Sequence, residues 1–251
     1  MFVLALYNTS DYVAEPWLAR GVTVVSIDLQ NDDSEGENGH IRLQGAIDSP
    51  CDVDRVLADH GLDVRDVGVV ISFAPCTDLA SSGARWWAEK AERDPNFQRR
   101  AVERAKIAAT FGVPYVVENP VGALSTRWRK PDMWTHPWEW SGYCPEGPHP
   151  EAPNLYPEGD RYCKKTGLWL GNGFTMPPPL ARAPWYSDNP GWEKLGGKGE
   201  RTKYLRSLTP RGMAEAFCVG NLHHVKQNGK VRTAEILAPS VDKSQQLEFD
   251  F

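Results

Sequence analysis

The sequence contains no uninterrupted apolar run of about eighteen residues, which excludes a helix of the length a bilayer requires. It opens Met1-Phe-Val-Leu-Ala-Leu-Tyr7 with neither a basic flank nor a small-residue cleavage site, so no membrane association and a cytoplasmic location are expected. Cysteine is sparse. The five at positions 51, 76, 144, 163 and 218 form no Cys-x-x-Cys pair, and an odd count suits a reducing compartment better than a disulfide framework. Cys144, His149, Cys163 and His136 follow no common zinc spacing, so no metal site is expected. Glycine is missing from residues 6 to 12, the turn after the first apolar segment, where glycine would let backbone approach a ligand closely.

What is present points to one compact domain with insertions: 251 residues, 41% of them hydrophobic, suffice for a sizeable core. The net charge of −5 is unevenly spread. Residues 28 to 66 hold eleven Asp or Glu against three Lys or Arg, a local balance of −8 that leaves +3 for the rest. A basic face is therefore compatible with the composition. It would draw on Arg99 and Arg100, on Arg127-Trp-Arg-Lys130 and on the glycine-rich stretch Gly196 to Arg206, although each cluster also reads as solvated surface charge.

Periodicity gives a β-α-β opening, with a buried strand over Phe2 to Tyr7, a short helix over Val13 to Arg20 and a β-branched strand over Val22 to Leu29. A helix over Asp52 to His60, a strand over Val67 to Phe73, a long helical stretch from Ala84 to Phe111 and a strand over Pro114 to Glu118 follow. Strands alternating with helices predict a Rossmann-like α/β fold, a mostly parallel sheet with helices on both faces. Ligands of such sheets sit beyond the carboxyl ends of the strands. That rule places Asn8 to Asp11, Asp28, Ala74 to Asp78 and Glu118 to Val121 on one rim.

From Pro120 to Glu200 the character changes, since thirteen of the twenty prolines and seven of the ten tryptophans fall there. The aromatic content argues for an ordered, irregular insertion rather than a disordered linker. The expected organisation is a core over 1–125, a Pro/Trp-rich insertion over 126–203, a return to the core over 204–224 and a tail over 225–251. A helical pattern resumes over 204 to 218, within which Thr209 before Pro210 also reads as a helix cap.

Two segments carry chemistry. In Phe73-Ala-Pro-Cys76-Thr-Asp-Leu-Ala-Ser81 a cysteine follows a proline at the end of a buried strand. An exposed thiol held in a fixed loop is what nucleophilic addition to a poor electrophile needs; the plain alternative is an inert core cysteine. A free thiol ionises near pH 8.5, so positive charge or a helix end beginning near Ser81 is expected to favour the thiolate. In Tyr115-Val-Val-Glu118-Asn119-Pro120 a carboxylate follows a second strand on the same rim, where it suits proton donation to a ring nitrogen. Those residues also read as an ordinary strand-ending turn.

Together, Pro75-Cys76 and Glu118-Asn119 resemble the Pro-Cys loop and the Glu-Asn-Val turn of the DNA cytosine-5 methyltransferases. The closer resemblance is to small phage-borne relatives of that family, through Pro75-Cys-Thr-Asp-Leu79, Glu118-Asn-Pro120 and Lys165-Thr-Gly-Leu-Trp-Leu170. The resemblance implies that Cys76 adds to carbon 6 of a flipped cytosine while Glu118 holds its ring nitrogen, with Asn119 beside it in the catalytic set. It further implies S-adenosylmethionine as cofactor, against Tyr7, Asn8, Ser10, Asp28, Leu29, Asp48 and Pro75, with Asp28 toward ribose hydroxyls and Asp48 toward the adenine edge. DNA is implied as the partner, against Pro75, Thr77, Ser81, Arg127, Lys164, Lys165 and Arg206. The family's glycine loop after the first strand and its Gln-x-Arg-x-Arg pattern are absent, and Lys164, Lys165 or Arg127 stands in for the latter. Asp28 and Asp48 read equally as capping or solvated aspartates.

Three other readings remain at this stage: action on RNA cytosine, transfer of another group to a pyrimidine, and a catalytically silent DNA-binding protein of the same fold. The terminal peptide Gln246-Leu247-Glu-Phe249-Asp-Phe251 resembles the Gln-Leu-x-Leu-x-Phe peptides by which bacterial replication proteins dock on the sliding clamp, a further expected partner.

Overall fold

A computed structural model describes residues 1–36, 38–187, 194–195 and 199–226. The chain forms an α/β fold around one eight-stranded sheet. Its strands are β1 (Phe2–Leu6), β2 (Val24–Asp28), β3 (Ser34–Glu35), β4 (His40–Gln44), β5 (Val67–Ser72), β6 (Tyr115–Pro120), β7 (Met133–Thr135) and β8 (Thr166–Gly171). They lie in the order β3-β4-β2-β1-β5-β6-β8-β7. The central five, β4-β2-β1-β5-β6, run parallel, whereas β3, β8 and β7 are antiparallel additions at the two edges.

Both faces are covered, which explains why β1 and β5 read as continuous apolar runs. On one face Leu4, Leu6, Ile27 and Leu43 pack with Leu57 of α2 (Pro50–Asp59) and Val102 of α4 (Phe97–Lys106). On the other, Val3, Val69, Ile71 and Val116 pack with Trp17 of α1 (Glu15–Leu18), Trp140 and Phe217 of α7 (Arg211–Asn221). A third cluster, including Tyr12, Leu155, Tyr156, Tyr162 and Leu205, organises the proline- and tryptophan-rich segment.

Several sequence expectations change. The stretch from 84 to 111 is not one helix: a 3₁₀ segment (Ser81–Trp86) leads into α3 (Trp87–Arg93) and then, after a break, into α4. The break falls at Asp94, which is extended because it precedes Pro95. The expected helix over 204 to 218 is likewise two, α6 (Glu200–Ser207) and α7, parted at Leu208 to Pro210. Thr209 does not cap α7; the buried Asp160 does, accepting from Gly212 N at 2.7 Å. Two short helices complete the chain, α5 (Leu124–Arg127) and α8 (His223–Lys226). Among the described residues no helix is long and apolar enough to cross a membrane.

The sheet's order fixes where a ligand fits. From β1 the chain winds outward through β2 to β4, and from β5 it winds the opposite way to β6. The crevice beyond the carboxyl ends of β1 and β5 is thus the switch point.

Candidate active site

The loop after β5 is shaped by its own turn, because Leu79 N and Ala80 N both donate to Cys76 O at 2.9 and 2.8 Å. That turn leaves Pro75, Cys76 and Thr77 exposed while Ala74 and Leu79 are buried. The following helices hold it from behind: Lys90 Nζ reaches Asp78 at 2.5 Å and Gln98 Nε2 donates to Asp78 O at 3.1 Å.

The loop after β6 is stitched to the first. Asn119 Nδ2 donates to Ala74 O at 2.8 Å, Ser81 N to Val121 O at 2.9 Å and Ala123 N to Leu79 O at 2.7 Å. The approach is so close that a Cβ on Gly122 would lie 1.9 Å from Leu79 O. Only glycine permits it. Sequence reading passed over Gly122, although its position directly after Glu118-Asn-Pro-Val121 was the available signal.

The carboxylate is also positioned. Asn119 and Pro120 pair across the strand with Gly167 and Thr166, and the Thr166 hydroxyl bonds the Glu118 carboxylate while lying 3.1 Å from Asn119 O. Thr166 was not foreseen as a site residue; it stands inside the quoted Lys165-Thr-Gly-Leu-Trp-Leu170 segment. Asn119 Oδ1 is buried without a hydrogen-bond partner. Glu118, Lys164 and Thr166 line a shallow cleft with Phe73, Thr209 and Met213.

Cys76 belongs electrostatically to the same group. Desolvation, and next the Glu118 carboxylate, push its thiol above the ordinary value, while the Lys164 ammonium opposes them. The expected helix-end activation is not what the loop provides, since the segment at Ser81 is 3₁₀ and the thiol is raised. Lys164 takes the role of local positive charge.

No protein-family model matches this sequence, and no curated protein matches it. The chemistry must therefore be judged on the residues themselves.

The rim of β1 and β2 is built differently. Tyr7 adopts a left-handed φ of 57°, so the turn that glycine usually supplies is made with a side chain attached. Its hydroxyl donates to Ile47 O at 3.1 Å. Asn8 and Ser10 are buried, with Asn8 Nδ2 donating to Ser10 O at 2.8 Å and to Ser26 Oγ at 3.2 Å. Beneath them Ser26 Oγ lies 2.9 Å from His40 Nε2, and His40 Nδ1 lies 3.2 Å from Asp11. The order resembles a nucleophile relay, but the Ser26 hydroxyl is buried within β2 and already engaged by Asn8, so it supports the loop rather than reacts.

Of the residues named for S-adenosylmethionine, Asp28 and Leu29 are the ones on this rim whose side chains no other side chain engages. Asp28 ends β2 on the rim, its carboxyl pushed up by burial against the opposing Gln30 N–H, and Leu29 beside it is 64% exposed, an apolar surface for a purine. Asp48 is committed to an ion pair with Arg104 at 2.6 Å. Of the nucleic-acid candidates, Lys164 is in the cleft, Thr77 and Ser81 are exposed on the Cys76 loop and its exit, and Arg127 is exposed at the end of α5. Lys165 sits 5.3 Å over the Trp134 ring. Arg206 donates to Leu195 O, so it is not brought to the cleft lining.

Proposed function

We propose that this chain transfers a methyl group to carbon 5 of cytosine in DNA through a covalent Cys76 adduct. The observation that carries the reading is the stitched pair of loops: it holds an exposed cysteine close enough to feel the charges of Glu118 and Lys164, two residues that line a cleft beyond β6. Asp28 and Leu29 would hold the adenosine of S-adenosylmethionine; when bound, that cofactor supplies an electrophilic methyl group.

The chain's residues do the rest. Cys76 gives its proton to water, favoured by the Lys164 charge, and its sulfur bonds carbon 6 of the ring. Glu118 hands a proton to the ring nitrogen as the electron pair arrives there, which leaves carbon 5 nucleophilic. Thr166 occupies one side of the Glu118 carboxylate and so turns the other toward the cleft. After carbon 5 has gained its substituent and given up its proton to water, the carbon–sulfur bond breaks, the thiolate returns and the ring nitrogen hands its proton back to Glu118. A duplex buries carbon 6 in the base stack, so the target must be extruded at a cost of a few kcal/mol.

The test is mass analysis of nucleosides from DNA treated with the protein and S-adenosylmethionine. We expect 5-methyldeoxycytidine from the native chain and none above background from Cys76→Ser, whose hydroxyl is a far weaker nucleophile. Methylation by Cys76→Ser removes the mechanism; a different mass increment, or product only on RNA, removes the assignment of group or substrate.

The clamp-like peptide at Gln246, Leu247, Phe249 and Phe251 lies outside the described residues. We propose it as a docking segment on its sequence alone, each apolar side chain contributing about 1.5–3 kcal/mol if buried. Retention of a bacterial sliding clamp by the full chain, lost on ending the chain at Lys243, is the expected result; equal retention by both removes the idea.

A further inference from the structure

Many of the described cations face carboxylates: Arg20 pairs with Glu215, Lys90 with Asp78, Arg100 with Asp94 and Arg104 with Asp48. Those along one stretch of the sheet's edge do not. Arg127, Lys130 and Lys165 are exposed and, with Lys164, form no ion pair among the described residues. The two carboxylates of the neighbouring segment are already engaged, Asp132 with Arg129 and Leu170 N, each at 2.7 Å, and Glu139 with Thr135 Oγ1 at 2.6 Å. Exposed and without an ion pair, these cations are open to an external anion.

Lys165 has a built support. Trp134 of β7 lies opposite Gly167 of β8, and a Cβ on Gly167 would meet both Trp134 and Trp169, at 3.1 and 2.9 Å. The missing side chain admits both indoles. Trp134 meets Trp169 edge-on at 6.3 Å, and Trp169 stacks on Trp128 at 6.4 Å with an interplanar angle of 14°. Trp169 is in turn fixed by donation from Nε1 to Arg129 O at 2.7 Å. The Lys165 ammonium therefore rests on a rigid aromatic ladder, a cation–π seat that holds it without neutralising it. The next residue, Thr166, lines the cleft.

We propose that this edge, from the end of α5 across β7 to the start of β8, is the track for the DNA backbone flanking the target base. Phosphates lie against Arg127, Lys130 and Lys165, and Trp134 fixes Lys165 in place. The proposal rests on the DNA-directed reading above and assigns it a surface.

It is tested by fluorescence anisotropy with the full chain and a fluorescein-labelled duplex, without cofactor, over a series of salt concentrations. Each phosphate contact contributes about −0.9 to the slope of log K against log salt. Arg127→Ala/Lys130→Ala/Lys165→Ala should flatten that slope by about 2.7, and Lys165→Arg should restore about one third of it. Arg55→Ala/Arg65→Ala, at exposed cations paired with Asp52 and Asp63, should leave it unchanged. An unchanged slope in the triple variant overturns the proposal, as does equal flattening in the control or tighter, equally dependent binding of structured RNA. Trapping of Cys76 on duplex containing 5-fluorocytosine reads the chemistry separately. Flattening without an adduct removes methyl transfer and keeps the track; an adduct with unchanged slope does the reverse.

Discussion

The two halves of the sheet's rim use the same kinds of residue to opposite ends. Beyond β1 and β2, Tyr7, Asn8, Ser10, Ser26 and His40 turn their polar atoms inward and bond one another, so the loop fills its own space. Beyond β5 and β6 the backbone is tied just as tightly, through Asn119, Ser81 and Ala123. There the tying is done largely by backbone and by one buried amide, which leaves Cys76 exposed and Glu118 and Lys164 facing a cleft. Rigidity is common to both. What separates the two rims is whether the side chains left over after bonding point at solvent.

The largest effect that would sharpen this contrast is at Glu118. Glu118→Gln should lower the methyl-transfer step by roughly 10² to 10⁴, the range for loss of a general acid, while Asn119 and Gly122 still hold the loops. Single-turnover kinetics separate this from binding. A change in substrate affinity alone would make Glu118 a binding residue. Next comes Gly122→Ala, whose methyl cannot coexist with Leu79 O at 1.9 Å. The two loops must part, and misplacement of about 1 Å can cost on the order of 10²-fold in rate. A variant with native thermal stability and native rate would show that the stitching is dispensable.

How far the sequence foretold this follows from what each feature depends on. The parallel core was legible, since β1, β2, β5 and β6 each carry a β-branched apolar stretch that marks a buried strand. β4 was not, because His40 and Arg42 break the apolar pattern and its identity comes from pairing with β2. Nor was β8, read only as a motif, because antiparallel pairing with β6 rather than its own periodicity makes it a strand. Pro95 and Pro210 were visible as helix breakers, and a continuous helical pattern hid them. At the candidate site, Cys76 and Glu118 could be singled out because each follows a buried strand on one rim. Thr166 and Gly122 were not, since a partner distant in sequence gives each its role.

A smaller effect concerns the thiol itself. Glu118 raises Cys76 and Lys164 lowers it, so Glu118→Gln should speed alkylation of Cys76 by iodoacetamide at a given pH, and Lys164→Met should slow it. In the native chain the alkylation rate should climb most steeply above the usual thiol range near pH 8.5. Identical pH profiles for all three would mean that the two charges do not act on the sulfur.

The smallest expected effect falls on the inward-facing rim and is one of stability. Burial, then Arg42, hold His40 down to about 4 from an ordinary 6.5, against the opposing Asp11. In the unfolded chain the ring takes a proton near pH 6.5, so the unfolded state binds more protons between about 6.5 and 4, and folding stability falls as the pH drops through that window. The full shift corresponds to roughly 3 kcal/mol. His149, likewise held at about 4 by burial, adds a fall of the same sign, and Asp160, raised to about 6 by burial, works the other way by gaining its proton more readily when folded. The informative quantity is therefore the difference between native protein and His40→Gln. Between pH 7 and 4.5 the variant should lose less stability in urea denaturation than the native chain, even if it starts lower for want of the bond to Ser26. Cys76 alkylation at pH 8 should be the same in both, because His40 lies with the rim that fills itself. Equal acid sensitivity in the two proteins would mean that His40 is not the buried neutral imidazole beneath the β1 loop, and a changed alkylation rate would mean that the two rims are coupled after all.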